Sequence, residues 1–368
     1  MLAAVLFLPV GAGAVSARRA YAVDAVSGRV LYEKNPTERS LIASTTKIMT
    51  ALIVCEQCNV LDRMRIPKEA VGIEGSSMYL KEGEVLTLQE LLYGLMLSSG
   101  NDAAGAAAVR VAGSIPAFVA QMNERAAALG LTQTHFVTPS GLHDDDHYST
   151  ACDMAVLAAS ALQNENFREI CAQSSAQVCF GNPPYQRWLK NSNKLLTMDE
   201  SVIGVKTGFT DEAGRCLVSA AERNGVTLIC VTLADPNDWQ DHLSLYDWGF
   251  SQVTPAEVSL PEDWRMPVAG GTAQEVALQS EEKLTVGTAD GSMPQLEYQL
   301  ETAPFLYAPV SAGQSAGTWR AMLNGREVAH GKLCAAETVA YRQPVEKRTA
   351  HRAFPVRIWK RIQSFFQK

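Results

Sequence analysis

Several features that would fix a class at once are missing from this sequence. No apolar run reaches the roughly 18 residues that a membrane-spanning helix needs. Basic residues are in deficit, 32 Lys and Arg against 39 Asp and Glu, so the chain lacks the positive surface on which nucleic-acid binding depends. The eight cysteines (55, 58, 152, 171, 179, 216, 230 and 334) are scattered, unlike the dense framework of a disulfide-stapled mini-domain. Cys55-Glu56-Gln57-Cys58 is a lone C-x-x-C with no second pair and no histidine at zinc spacing. It ends an apolar helical stretch, where packed or free thiols are expected, rather than a redox motif beside a βαβ unit. No G-x-S-x-G elbow occurs, so an α/β-hydrolase triad lacks its signature. There is no internal repeat and no low-complexity segment.

What remains is a globular composition, 47% hydrophobic and 19% charged over 368 residues, long enough for two domains. The net charge of −7 hides an asymmetry: residues 347–368 hold seven basic residues and no acid, leaving −14 on the rest. In that tail Phe354, Ile358, Trp359, Ile362, Phe365 and Phe366 form one helical stripe, with basic and polar residues between them. About 14 residues at ~1.5 Å each are too short to cross a bilayer. An amphipathic helix lying on an anionic membrane surface is expected, the other reading being a helix docked on its own body. At the other end, the apolar run 2–15 followed by Val15-Ser16-Ala17 reads as a secretory leader cut after Ala17, or else as a buried N-terminal strand.

Between these ends the pattern changes twice. A hairpin is expected at 20–33, with a turn ending at Ser27-Gly28. Helices are expected at 48–54 after Ser44, at 88–97 behind the capping box Thr87-Leu88-Gln89-Glu90, onward from Asn101 to about 112, at 116–129 and from Thr150 to about 162. Strands follow at 202–207, 215–223 and 226–234, the last two joined by Asn224-Gly225, which sets Cys230 opposite Ser219 and Cys216 opposite Leu233. This order implies an antiparallel sheet whose first and last strands meet, with helices packed on it. Beyond 254, short strands at 274–286, 295–300, 318–323 and 326–333, with a turn at Asn324-Gly325, read as a small all-β domain.

Three short motifs carry chemistry. In Ser44-Thr45-Thr46-Lys47 the hydroxyl and amine share a helix face, and a buried lysine can take the proton of a serine nucleophile. Alone, the motif also fits a capped helix with a surface lysine. Ser99-Gly100-Asn101 falls in the break between two helices, where a plain turn would serve equally. Lys206-Thr207-Gly208 lies late in a strand beside Phe209-Thr210, where a lysine and a hydroxyl can grip a carboxylate and glycine admits a ligand to the backbone. In this order and context the three match the joint signature of penicillin-binding proteins and serine β-lactamases.

The chain resembles the D-Ala-D-Ala carboxypeptidases among the low-molecular-mass penicillin-binding proteins over nearly its whole length after residue 20. Residues 23–32, 43–50, 96–102, 136–142, 147–153, 193–196 and 204–210 look like that family's blocks. One departure is visible: members often carry Asn and His before Gly-Leu, where Thr138-Pro139-Ser140 stand here. The resemblance implies an α+β fold: a leader at 1–17, a β-lactamase/transpeptidase-like domain at 18–254, a β-rich domain at 255–343 and a membrane-anchoring tail at 344–368. It implies Ser44 as acylated nucleophile, Lys47 as its base, and Ser99 as a relay toward the leaving amine. Asn101 would orient the substrate amide and the lysines, and Lys206 and Thr207 would hold the terminal carboxylate. The N–H groups of Ser44 and Phe209 would form the oxyanion hole, with Gly208 between strand and ligand.

Lys206 near Lys47 would depress the latter's pKa by like-charge repulsion. Expected partners are peptidoglycan stem peptides, β-lactams as covalent inhibitors and an anionic membrane surface, with no nucleic acid. No cofactor is implied, and the run His143–His147 reads as a loop of turn formers rather than a metal site. The alternatives are a peptidoglycan endopeptidase or a β-lactamase with the same nucleophile, or a non-catalytic wall-binding module. No Glu-x-x-Leu-Asn block of the class A β-lactamase kind is present.

Overall fold

The computed structural model of the chain describes residues 15–343, apart from 259, 262, 281, 283, 292–294 and 324. Most of the expected leader, the turn residue Asn324 and the expected helical tail therefore lie outside the described residues. Two compact units are present, one drawn from 1–259, 283–298 and 320–329, the other from 260–282, 299–319 and 330–368.

The first unit opens with β1 (Arg19–Asp24) and β2 (Val30–Lys34), then α1 (Lys47–Gln57), a ribbon of β3 (Arg63–Arg65) and β4 (Val85–Thr87), α2 (Leu88–Met96), α3 (Asn101–Ala112), α4 (Ile115–Ala128), α5 (Ala151–Leu162) and α6 (Glu165–Cys171). A hairpin of β5 (Ser175–Gly181) and β6 (Pro184–Lys190) and a single turn α7 (Leu195–Met198) lead into β7 (Val202–Thr210), β8 (Gly214–Arg223), β9 (Val226–Leu233) and α8 (Asp238–Ser251). The sheet is antiparallel in the order β2-β1-β9-β8-β7. The first and last strands do meet, since β1 pairs with β9, and β7 is left at the edge with one side free.

Alternation along the strands makes two cores. Tyr21, Val23, Val218, Ile229 and Val231 face the packed helices α1–α6, while Ala20, Ala22, Leu217, Leu228 and Cys230 face α8. The β8–β9 turn has positive φ at both Asn224 (53°) and Gly225 (78°), the geometry that matches strand twist. The register follows as expected: Ser219 opposes Cys230 and Cys216 opposes Leu233, so those two cysteines point into different cores. All eight cysteines are free thiols.

Helix starts agree with the capping chemistry. Thr87 and Glu90 form the reciprocal capping box of α2, and Ser114 and Thr150 cap α4 and α5. Ser44 differs in detail. It lies in a tight 3-10 turn, Ala43–Thr46, that leads into α1 rather than capping it. Helices α6 and α8 and the β5–β6 hairpin were not expected from the sequence.

Among the later strands, β10 (Thr254–Val258) pairs with β13 (Leu284–Thr288). β11 (Arg265–Ala269), β12 (Glu275–Gln279), β14 (Glu297–Thr302), β15 (Leu306–Tyr307), β16 (Ser315–Leu323) and β17 (Arg326–Ala335) form a six-stranded sheet in the order β14-β16-β17-β12-β11-β15. The strand expected at 274–286 is thus two strands in different sheets. The chain leaves the ladder at Ser280, whose hydroxyl accepts the Trp319 indole N–H at 2.9 Å.

The capping box makes a direct stability test. Thr87→Ala removes the acceptor for the Glu90 N–H and is expected to lower unfolding free energy by about 1 kcal/mol. Urea unfolding with an unchanged midpoint would show that α2 does not rely on its cap.

Candidate active site

The site is assembled where three segments meet a lysine that has no access to water. Lys47 opens α1 and is 0% exposed. Its Nζ lies 2.8 Å from Ser44 Oγ, 2.8 Å from Asn101 Oδ1 and 2.7 Å from the Ser140 carbonyl oxygen. Asn101 Oδ1 and the Ser140 carbonyl can only accept. A neutral amine has two N–H groups and one lone pair. Donating to those two acceptors leaves the lone pair for the Ser44 hydroxyl proton. Burial pushes the Lys47 pKa well below its ordinary value, the nearby Lys206 pushes it further, and Asp102 pulls it partly back. Burial and like-charge repulsion, both expected from the sequence, therefore act together, with burial the larger.

Each support of Lys47 is itself pinned. Asn101, at the start of α3, donates from Nδ2 to the Glu74 carbonyl at 2.6 Å and from its backbone N–H to the Ser76 carbonyl at 2.7 Å. Beside it Asp102, 1% exposed, accepts from Ser77 Oγ (2.7 Å), Met78 N–H (2.9 Å) and Leu80 N–H (3.0 Å). The loop 74–80 is so fixed against the start of α3. Ser99 occupies the turn between α2 and α3 at φ 60°, a left-handed conformation rare for a residue other than glycine.

The loop 137–141 is held from α1 and from His147. Thr50 Oγ1 donates to the Pro139 carbonyl at 2.6 Å. His147 Nδ1 accepts the N–H groups of Val137 (3.0 Å) and Thr138 (3.3 Å). The proton must then sit on Nε2, which donates to Thr46 Oγ1 at 2.7 Å, and Thr46 donates to the Ala43 carbonyl at 2.8 Å. Burial drives the His147 pKa down to about 4, so the ring stays neutral. Gly141 is required by contact as well as conformation. Its φ is 81°, and a Cβ there would lie 1.9 Å from the Ala43 carbonyl oxygen. The departure at Thr138-Pro139-Ser140 leaves the Lys47 contact intact, because that contact is to a backbone oxygen.

The third wall is the edge strand β7. Lys206 is 1% exposed, with Nζ donating to the Thr207 carbonyl at 3.0 Å, and burial lowers its pKa to about 7. Thr207 Oγ1 lies 2.7 Å from Ser192 Oγ, a hydroxyl in the segment before α7. A Cβ on Gly208 would lie 2.9 Å from the Ile42 carbonyl oxygen and 3.1 Å from Ser44 N, so the strand packs against the nucleophile turn at a distance only glycine permits. Phe209 follows, 63% exposed. The structure thus joins Ser44, Lys47 and Asn101 by direct hydrogen bonds and brings Gly208 against Ser44. Lys206 reaches Lys47 through its charge, and Ser99 is placed by its turn.

Sequence reasoning missed Asp102, His147 and Ser192 as parts of this site. Asp102 adjoins Asn101 and could have been weighed with it. His147 was read in an acidic loop and at the head of the 147–153 block, with no role of its own, and nothing local marks Ser192.

The family model for D-alanyl-D-alanine carboxypeptidase matches residues 8–237. The D-alanyl-D-alanine carboxypeptidase DacF of Bacillus subtilis is 32% identical, covering 87% of this chain and 85% of that protein. DacC of Escherichia coli, with the same activity in its name, is 35% identical over 90% of this chain and 86% of its own. The crystal structure of D-alanyl-D-alanine carboxypeptidase DacD from Francisella tularensis superposes with a TM-score of 0.63 at 26% identity, covering 93% of this chain and 98% of that one.

The electrostatics give a pH test. Lys206→Met removes the cation that helps hold the Lys47 pKa down. A base must be neutral to act, so activity rises as pH climbs through its pKa. The acid limb of acylation by penicillin should therefore move to higher pH in Lys206→Met. A limb that stays put, or moves lower, would contradict the assignment of Lys47 as base.

Proposed function

The chain belongs to the D-alanyl-D-alanine carboxypeptidase family, and on that premise we propose that Ser44 is the residue through which it cleaves the terminal D-Ala from peptidoglycan stem peptides. The observation that carries this is the Lys47 amine, buried and hydrogen-bonded at once to Ser44, Asn101 and Ser140. The enzyme is a serine-type carboxypeptidase of the penicillin-binding class.

In this reading Ser44 Oγ attacks the carbonyl carbon of the scissile D-Ala-D-Ala bond while its proton passes to Lys47 Nζ. The N–H groups of Ser44 and Phe209 receive the developing oxyanion. The proton travels by way of Ser99 to the leaving D-Ala amine, and water then hydrolyses the Ser44 ester. Lys206 and Thr207 hold the substrate's free carboxylate. Because the Lys206 pKa is lowered to about 7 in the empty site, an arriving carboxylate draws a proton onto it. A β-lactam acylates the same serine but keeps its leaving amine tethered.

The protein acts outside the cytoplasm, attached to the outer face of the cytoplasmic membrane by the amphipathic tail of residues 344–368. Support comes from the tail's aromatic stripe and its seven basic residues against a body of −14. The body would be repelled by anionic lipid, so the tail must supply the contact.

Three outcomes test the reading. Penicillin should add once per chain in intact-mass measurement and not at all to Ser44→Ala, and a stem peptide whose terminal carboxylate is amidated should lose most of its turnover. Equal turnover of acid and amide would point to an endopeptidase instead. Deleting residues 350–368 should release the protein from anionic vesicles with soluble-peptide turnover nearly unchanged. Full vesicle binding by the shortened chain would show that the tail is not the anchor.

A further inference from the structure

The β-rich unit leaves three aromatic side chains in water along one edge. Phe305 is 37%, Tyr307 73% and Tyr341 55% exposed, and the Phe305 and Tyr307 rings meet edge to face at 5.0 Å. They come from two segments held to the same stretch of backbone. Tyr307, on the edge strand β15, lies in register with Ala269, and the Ala308 N–H donates to the Ala269 carbonyl at 2.9 Å. Tyr341 bridges to Gly271, the Thr272 N–H donates to the Ala340 carbonyl at 2.8 Å, and the Arg342 N–H donates to the Gly270 carbonyl at 2.8 Å. Val310 and Val339, both buried, complete the join with backbone bonds of 2.8 and 2.9 Å to each other. Residues 268–274, 303–313 and 338–343 thus form one continuous rim.

Single exposed apolar residues are ordinary, whereas aromatics gathered on one edge call for a partner. The charge of the rim says which. Its three segments contain one charged residue, Arg342, and no acid, in a chain with 39 Asp and Glu. The acids next along the chain are Glu275, paired with Arg265 at 3.5 Å, Glu301 and Glu337. A surface of an acidic body can approach anionic lipid only where negative charge is sparse. Tyrosine, apolar in its ring and polar at its tip, suits the boundary between headgroups and acyl chains. Area argues against a second copy of the chain. A whole aromatic side chain buries about 150–250 Å², so the exposed parts of these three fall well short of the ~800 Å² per partner of a stable protein interface. The chain also leaves the unit from this rim. Arg342 is hydrogen-bonded into it, and eleven residues, 343–353, separate it from Phe354 at the head of the tail's aromatic stripe. Such a length reaches at most about 40 Å.

We propose that this rim is a second membrane contact, in which Phe305, Tyr307 and Tyr341 enter the headgroup region of the anionic surface that the tail binds. Its placement on that surface rests on the tail reading given above. A tail alone would tether the β-rich unit in any orientation. The rim in addition fixes which edge of that unit faces the lipid.

Hydrogen exchange of the full-length protein, free and on vesicles of phosphatidylglycerol and phosphatidylethanolamine, reads the contact without a mutation. Exchange should slow in 303–311 and 338–343 as well as in the tail. Slowing confined to the tail would overturn the rim and leave the tail as anchor. Slowing that appears without lipid and grows with protein concentration would assign the rim to a second copy and overturn the proposal. A full-length chain that does not bind the vesicles would overturn both readings. Tyr307→Glu, which sets an acid in the rim, should weaken vesicle binding of the full-length chain by about tenfold, with penicillin acylation unchanged. Binding as tight as that of the unaltered chain would contradict the proposal. If deleting 350–368 leaves binding intact while Tyr307→Glu weakens it, the tail reading falls and the rim stands.

Discussion

The site depends on one buried amine. Lys47 is sealed from water and, among the described residues, its nitrogen is satisfied by Ser44, Asn101 and Ser140. These come from the turn before α1, the start of α3 and the loop after α4. Each is distant from the others in sequence, so the nitrogen is the point where separate parts of the unit must agree. A charged ammonium there would cost heavily in desolvation, whereas a neutral amine fits two fixed acceptors and leaves its lone pair for the serine. Fold and chemistry therefore ask for the same protonation state.

The surrounding structure serves to keep that arrangement stiff. Asp102 and Asn101 bind the 74–80 loop, and His147 ties the 137–141 loop to Thr46 at the nucleophile turn. Gly141 and Gly208 let backbone approach backbone on either side of Ser44. None of these residues donates or receives a proton from substrate in the proposed reaction. Their value is that the Ser44–Lys47 geometry is made before substrate arrives, so little of the binding energy is spent on assembling it.

Much of this was legible in the sequence wherever a local rule speaks. The Thr87–Glu90 box, the Asn224-Gly225 turn and the caps at Ser114 and Thr150 are short-range devices, and they placed α2, α4, α5 and the β8–β9 register. The three catalytic motifs were legible for the same reason, each being a few adjacent residues. What failed to show was governed by distant contacts. Helix α8 buries Asp238, Asp241 and His242 on its packed face, so its hydrophobic period is broken by polar residues whose partners, Arg215, Ser16, Ser219 and Thr232, lie elsewhere in the chain. The role of His147 likewise needs Thr46, 101 residues away. The weight of burial over Lys206 in setting the Lys47 pKa could not be read from spacing at all.

The central claim is that Lys47 is a neutral amine before the reaction begins. Nuclear magnetic resonance of the enzyme carrying isotope-labelled lysine reads this directly, with the Lys47 signal assigned by its loss in Lys47→Arg. The account predicts a side-chain shift characteristic of free amine at neutral pH, moving to the ammonium value only on acidification. An ammonium signal at neutral pH that titrates in the ordinary lysine range would contradict it.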